Sequence, residues 1–406
     1  MAIAQGINKV VSLRKQTGLG VVGSATPQKM RRETASFNLQ KATFENKEIA
    51  SHQQSSGITH GLRSTTGNLS GVLSPGTYND LMASLLRKPF TATAAQTGKS
   101  ITIGAASGLG VHTITVTSGT LLTGGFKIGD VVRFSAGALN AANINTNVLI
   151  TAIASDTSMS VYPVNGTALV PEGPISGCTI TVQGKKSIAA DSSQTVEYWQ
   201  AEEWFNDISV SDLYNDLMVS SVDIGLPSDG NVTMSFAFVG LDKVTSGSQV
   251  HTGATAETTS NILTAVNGVL MMSGKVVGNV TGASIKIDCG AANMGAVVGS
   301  NVSPDIQRGR IQVSGQVTAF FQDSDFSTLY DAATQFGIVM VCAAADTANA
   351  HFMSFNIQGC KFSGDTKDDG EKGIVQTIPF TAQIYASGSA TTARDHTIIS
   401  IQDSLA

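Results

Sequence analysis

The stretch Gly67-Asn68-Leu69-Ser70-Gly71-Val72-Leu73-Ser74-Pro75-Gly76-Thr77-Tyr78-Asn79-Asp80-Leu81-Met82-Ala83-Ser84-Leu85-Leu86 reads as a strand, a turn and a helix in succession. Ser74-Pro75-Gly76 is a turn signal. From Tyr78 to Leu86 the apolar residues fall at helical spacing, and Pro89 is expected to end the helix. The stretch also recurs. A shift of 248 positions lays 36–86 on 284–334 without a gap: Ser36 meets Ser284, Ile58 meets Ile306, Gly61 meets Gly309, Gly67 meets Gly315 and Leu81 meets Leu329. The polar and apolar pattern agrees further than the identities do, with 68–73 on 316–321 and Tyr78 on Phe326.

The second halves correspond at a shorter shift. Leu217-Met218 falls on Phe352-Met353, a shift of 135, and Phe236 falls near Phe380. The difference (248 − 135) places about 113 surplus residues between 86 and 217. Residues 90–190 have the texture to supply them, being rich in Thr, Gly and β-branched residues in short runs such as Lys99-Ser100-Ile101-Thr102-Ile103 and Gly125-Phe126-Lys127-Ile128-Gly129-Asp130-Val131-Val132-Arg133-Phe134. The expected fold is all-β with one short helix per repeat: a duplicated β-sandwich or barrel domain whose first copy carries an inserted β module. The units are an extended basic arm at 1–33, a discontinuous first domain at 34–89 and 191–244, the module at 90–190, a linker at 245–260 and a second domain at 261–406. The module is expected to project outward and to be dispensable.

Composition agrees with many strands and tight turns. Of 406 residues, 42% are hydrophobic, 14% charged and 6% aromatic, with 42 glycines. So weakly charged a chain favours an assembled protein over a soluble monomer. A net charge of −5 lacks the basic stripe that a nucleic-acid binder needs to displace counterions. Cys178, Cys289, Cys342 and Cys360 are dispersed, with no CxxC spacing, so reduced thiols are expected. The N-terminal run has no apolar core followed by a cleavage site, and no window approaches 18 uninterrupted apolar residues; neither a signal peptide nor membrane insertion is expected.

Ser36-Phe37-Asn38-Leu39, Leu62-Arg63-Ser64 and the run from Gly71 to Tyr78 resemble the opening of the tail tube proteins of long-tailed bacteriophages. The run at 125–134 and Glu202-Glu203-Trp204-Phe205-Asn206-Asp207-Ile208 extend the resemblance. It implies a β-sandwich with a flanking helix, six of which close their inner sheets into a ring. Two such domains per chain make a ring of three chains pseudo-hexameric. It further implies a structural protein of the virion tail, synthesised in the bacterial host cytoplasm, whose stacked rings let viral DNA pass without specific binding. The implied partners are further copies of the chain and the tail terminator, tape measure and baseplate or tip proteins. The alternatives are another β-rich tail component, such as an adaptor or spike, and a carbohydrate-active tail enzyme.

Local signatures of chemistry are incomplete. Gly98-Lys99-Ser100 ends like a phosphate loop, but Thr93 stands where an earlier glycine is required. Asp365, Asp368, Asp369 and Glu371 suggest a calcium loop, yet Lys367 occupies a ligand position and Gln376 stands where a bidentate Glu belongs. Glu197, Glu202 and Glu203 beside Trp199 and Trp204 offer carboxylates for glycoside cleavage, without evidence of two elements facing one cleft. His52, His60, His112, His251, His351 and His396 stand at least eight positions apart. No catalytic, cofactor or metal site is expected.

Three groups bear on assembly. Lys9, Arg14, Lys15, Arg31 and Arg32 precede the first acid, Glu33, and form the candidate basic arm. Glu197, Glu202, Glu203, Asp207 and Asp212 lie in a stretch free of basic residues from 187 to 242, the candidate acidic rim or lumen that such an arm could meet on a neighbour. Glu45, Lys47, Glu48 and His52 mark a polar loop between two strands of the first copy, the candidate ring-stacking loop. Its counterpart, 290–302, is uncharged.

Overall fold

The computed structural model describes residues 3–49, 51, 52, 54, 57–322, 324–368, 371 and 373–406. Its first half runs β1 (Lys9–Lys15), β2 (Thr34–Glu45), β3 (Ile58–Val72), α1 (Asn79–Leu86), β4 (Trp199–Phe205), β5 (Val210–Pro227), β6 (Thr233–Gly240) and β7 (Asp242–Ser246). The second runs β8 (Thr264–Met272), β9 (Val280–Asp288), β10 (Gln312–Phe320), α2 (Asp325–Asp331), β11 (Phe336–Ala343), β12 (Phe352–Phe362), β13 (Val375–Ala382) and β14 (Ser400–Asp403). Antiparallel ladders join them in the order β2–β3–β6–β5–β9–β10–β13–β12–β11–β8. β5 is long enough to serve two sheets: its first half pairs with β4 and β7, its second with β6 and β9.

Alternation along the strands sets the buried face. Met234, Phe236 and Phe238 of β6 point inward with Leu69, Val222 and Ile224, and α1 seals them with Leu81, Met82, Leu85 and Leu86. The same apolar cluster continues through Ile285, Ile287 and Val317 to Ile338, Phe355, Ile378 and Phe380. The two halves therefore share one core. Phe37 lies flat on the backbone opposite it, where a Cβ on Gly67 would fall 2.1 Å from the ring; only glycine allows that approach.

Helix α1 stops before Pro89. Arg87 adopts a left-handed conformation (φ 58°), and Lys88 N–H and Arg87 N–H return to the carbonyls of Ala83 (3.1 Å) and Ser84 (3.3 Å). A non-glycine residue bears that strain because its guanidinium is used. It is buried and donates to the carbonyls of Cys289 (3.0 Å) and Gly309 (2.7 Å) in the second half.

The described part of the expected arm, residues 3–33, is not free: β1 lies along β4, and Gln28–Lys29 pairs with β1 in turn. The expected linker is likewise anchored, with Thr255 bridged to Gln28 and His251 fully buried. Six strands between Gln96 and Val182 close into a barrel filled by Ile101, Ile114, Phe126, Phe134, Ile150 and Ile180. Gly98-Lys99-Ser100 lies within one of its strands.

The barrel is docked rather than pendant. Val131 and Leu149 pack on Val269, Met271, Val339, Val341 and Phe352 of the main sheet. In the turn that opens Phe126-Lys127, Lys127 is buried and donates to the carbonyls of Ser389, Ala390 and Thr392 at 2.8, 2.8 and 2.6 Å. Lys186 pairs with Asp130 at 3.1 Å. The docking tells against a dispensable module, because removing it would bare a row of large apolar side chains. Leu149→Ala, at a fully buried contact, is expected to cost about 2–5 kcal/mol in urea unfolding. Excision of 92–185 is expected to lower the Tm and promote aggregation; a soluble excised protein with unchanged Tm would show the contact to be idle.

Candidate assembly surfaces

The hairpin β2–β3 extends beyond the body. Its outer positions are exposed, Phe44 and Ile58 among them, and Ile49 at the tip is wholly in solvent. Glu45, Lys47, Glu48 and His52 stand on this tip, each exposed. Glu48 N–H donates to Asn46 Oδ1 at 2.9 Å, and Gln54 N–H to His52 Nδ1 at 3.2 Å. Ala50 and Gln53 of the same loop lie outside the described residues. The counterpart after β9 folds back on the first half instead. Asn301 O accepts from Arg63 N–H at 2.7 Å, Asp305 from Tyr198 O–H at 2.7 Å, and Ile306 is buried with Tyr198, Met218 and Leu241.

The basic and acidic groups meet within one chain. Antiparallel pairing of β1 with β4 brings Lys9 to Glu203 (2.6 Å) and Lys15 to Glu197 (2.8 Å) and Asp80 (3.8 Å). Arg14 donates to Gln200, Arg32 to the carbonyl of Lys9, and Arg31 to that of Ser260 (2.7 Å). Asp207 accepts from Gln5 N–H at 2.6 Å, and Asp212 pairs with Lys243 at 2.7 Å. Glu202 and Glu203 are buried, so neither offers its charge to a rim or lumen. Burial pushes the Glu203 carboxyl up, while Lys9 pulls it back.

The loop at 363–373 is a local polar knot. Asp365 accepts from Ser327 Oγ (2.7 Å), Lys367 Nζ (3.1 Å) and Gln376 Nε2 (2.5 Å). Burial alone would raise its carboxyl; these donors outweigh burial and hold it below the ordinary value. Asp369, of the suspected calcium loop, lies outside the described residues, as do Gly370 and Lys372.

The profile of a family described as phage tail tube protein matches residues 6–382. The chain belongs to that family. It is a structural component of the virion tail, and the family is not enzymatic. No curated protein matches the chain. Among solved structures, the phage phi92 endosialidase aligns at 8% identity and a TM-score of 0.16, over 88% of this chain and 60% of that one, a likeness too slight to bear on fold or activity.

In a tail tube protein, one further cluster reads as a staple. Ser12 Oγ lies 2.8 Å from His251 Nδ1, and Gln200 Oε1 lies 3.2 Å from Nε2. Glu202 accepts from the backbone N–H of Val250 (2.6 Å) and His251 (2.8 Å) and from Ser211 Oγ (2.5 Å). Serine, histidine and glutamate are all buried, so no substrate reaches them; they pin the loop after β7 to β1 and β4. Glu202 and His251 stood out in the sequence only singly; their grouping with Ser12, Gln200 and Ser211 joins three segments far apart in the chain and has no local signal.

Burial pushes the His251 imidazole down to about 4, with Glu202 opposing and Arg14 assisting. The unfolded chain then binds this proton more readily than the folded one. Its contribution to stability is full above pH 6.5 and is lost as pH falls toward 4. His251→Gln is expected to flatten that part of the stability–pH curve relative to the parent. Equal slopes in urea titrations at pH 4.5–7 would contradict it.

Proposed function

We propose that the chain is a duplicated tail tube unit, and that three chains close into a ring of six units whose stacking builds the conduit for viral DNA. The observation that carries this is the recurrence of pairing. β1–β4, β2–β3, β3–β6, β4–β5, β5–β6 and β5–β7 have counterparts in β8–β11, β9–β10, β10–β13, β11–β12, β12–β13 and β12–β14. Register supports the same reading. Ser36 faces Asn68 and Ser284 faces Gln316, so both strands keep the shift of 248. Gly67 faces Phe238 and Gly315 faces Phe380, a shift of 142 (380 − 238) for the later strands. The surplus in the first unit is then 106 residues (248 − 142), and the unit begins at β1.

Rings follow from head-to-tail contacts that close, and filaments from rings that stack. The protruding β2–β3 tip, with Phe44, Ile49 and Ile58 exposed between Glu45, Lys47 and Glu48, is the surface suited to reach the next ring. At its ends such a tube would meet the tail terminator, the tape measure and the baseplate or tip.

Electron microscopy of concentrated protein tests this directly: stacked hollow rings support it, and single particles under all conditions contradict it. Ile49→Ser with Lys47→Ala and Glu48→Ala is expected to leave rings that stack into markedly shorter tubes. The charged part of that contact should also weaken in 1 M salt, where the Debye length is about 3 Å. Full-length tubes from the triple variant would place stacking elsewhere.

A further inference from the structure

The joint between the two units is a template for the joint between chains. Within the chain, β5 pairs with β9 from Ser221 opposite Asp288 to Pro227 opposite Gly282. The shift of 248 carries 282–288 of β9 onto 34–40 of β2. On the other side, Ile224 lies opposite Met234 and Lys367 opposite Gln376. Met234 and Gln376 are related by the shift of 142, so Ile224 corresponds to Lys367 and Asp223 to Thr366. Both transferred segments are sheet edges among the described residues: β2 pairs only with β3, and Thr366–Lys367 only with β13.

Within one chain, the β2 edge is covered by side chains. Lys9 Nζ donates to Ala35 O at 2.9 Å, and Tyr214 O–H to Phe37 O at 2.7 Å. The corresponding positions of β9, Ala283 and Ile285, lie opposite Leu226 and Ile224 of β5. Unpaired edges invite uncontrolled association, and proteins blunt them with charge and cover. The two joints also differ in character. Val222 and Ile224 are buried at the internal joint, whereas the matching positions at the outer edge are Asp365 and Lys367. One joint is apolar and permanent; the other is polar and can wait.

We propose that the β2 edge at 36–40 pairs antiparallel with 364–368 of the next copy of this chain, and that Lys9 and Tyr214 cap this edge until the neighbour displaces them. The proposal rests on the ring reading above and adds its register. Asp223 and Lys286 face each other across the internal joint at 3.9 Å, both about half exposed. Their counterparts, Thr366 and Asn38, are both exposed.

Asn38→Cys with Thr366→Cys tests the register. The native cysteines are buried and stay out of the reaction. Oxidation of assembled rings is expected to give covalent dimers and trimers on denaturing gels. Thr34→Cys with Thr366→Cys, four residues out of register, is expected to give none, because a disulfide needs Cβ atoms within about 4.5 Å. Rings visible by microscopy without cross-links in the first variant would overturn the seam and leave the ring reading standing. Absence of rings from the parent protein would overturn both. Tyr214→Phe removes only the hydroxyl cap and is expected to lower the concentration at which rings appear several-fold. An unchanged or raised onset would overturn the capping role.

Discussion

Everything else in this chain hangs on the backbone ladder between β5 and β9. It fuses the two halves into one sheet, and through Val222, Ile224, Ile285 and Ile287 it makes their apolar layers a single core. Burial of side chains this size stabilises by roughly 1.5–3 kcal/mol each, so the halves cannot part without exposing much of what holds each together. Arg87 bolts the same junction from the other side. Its left-handed backbone would be unfavourable were its guanidinium not satisfying two carbonyls of the second half.

The barrel explains a second feature of the sheet. β11 and β12 are buried along nearly their whole length, on both faces. Ile338 and Met340 face the shared core while Val339 and Val341 face the barrel. These strands are thus two-sided, with the barrel covering the face that the shared core does not.

That burial marks where sequence reading loses its grip. The strand, turn and helix at 67–86 were legible, and so was their echo at 315–334, because alternation, a Ser-Pro-Gly turn and a glycine beneath an aromatic are local demands. The phase of β12 was less legible: it is buried on both faces, so its alternating Ser354, Asn356 and Gln358 mark no solvent side. The barrel was legible as a change of texture, but its docking was not, because Lys127 reads as a surface lysine until the carbonyls at 389–392 surround it. The basic and acidic stretches were both visible. That Lys9 meets Glu203 and Lys15 meets Glu197 inside one chain depends on β1 reaching a strand some 190 residues away, a pairing that no local pattern encodes. The exposed β2–β3 tip, by contrast, stood out by its length and charge alone.

The number of chains in one ring tests the duplicated unit most directly. A ring separated from its stack by dilution or salt can be weighed by native mass spectrometry and its rotational symmetry read from averaged end-on images. Two units per chain require three chains, about 126 kDa from 42.0 kDa each, with six similar lobes around the lumen in threefold symmetry. Six chains with twelve units, or sixfold symmetry with one unit of each chain outside the ring, would contradict it.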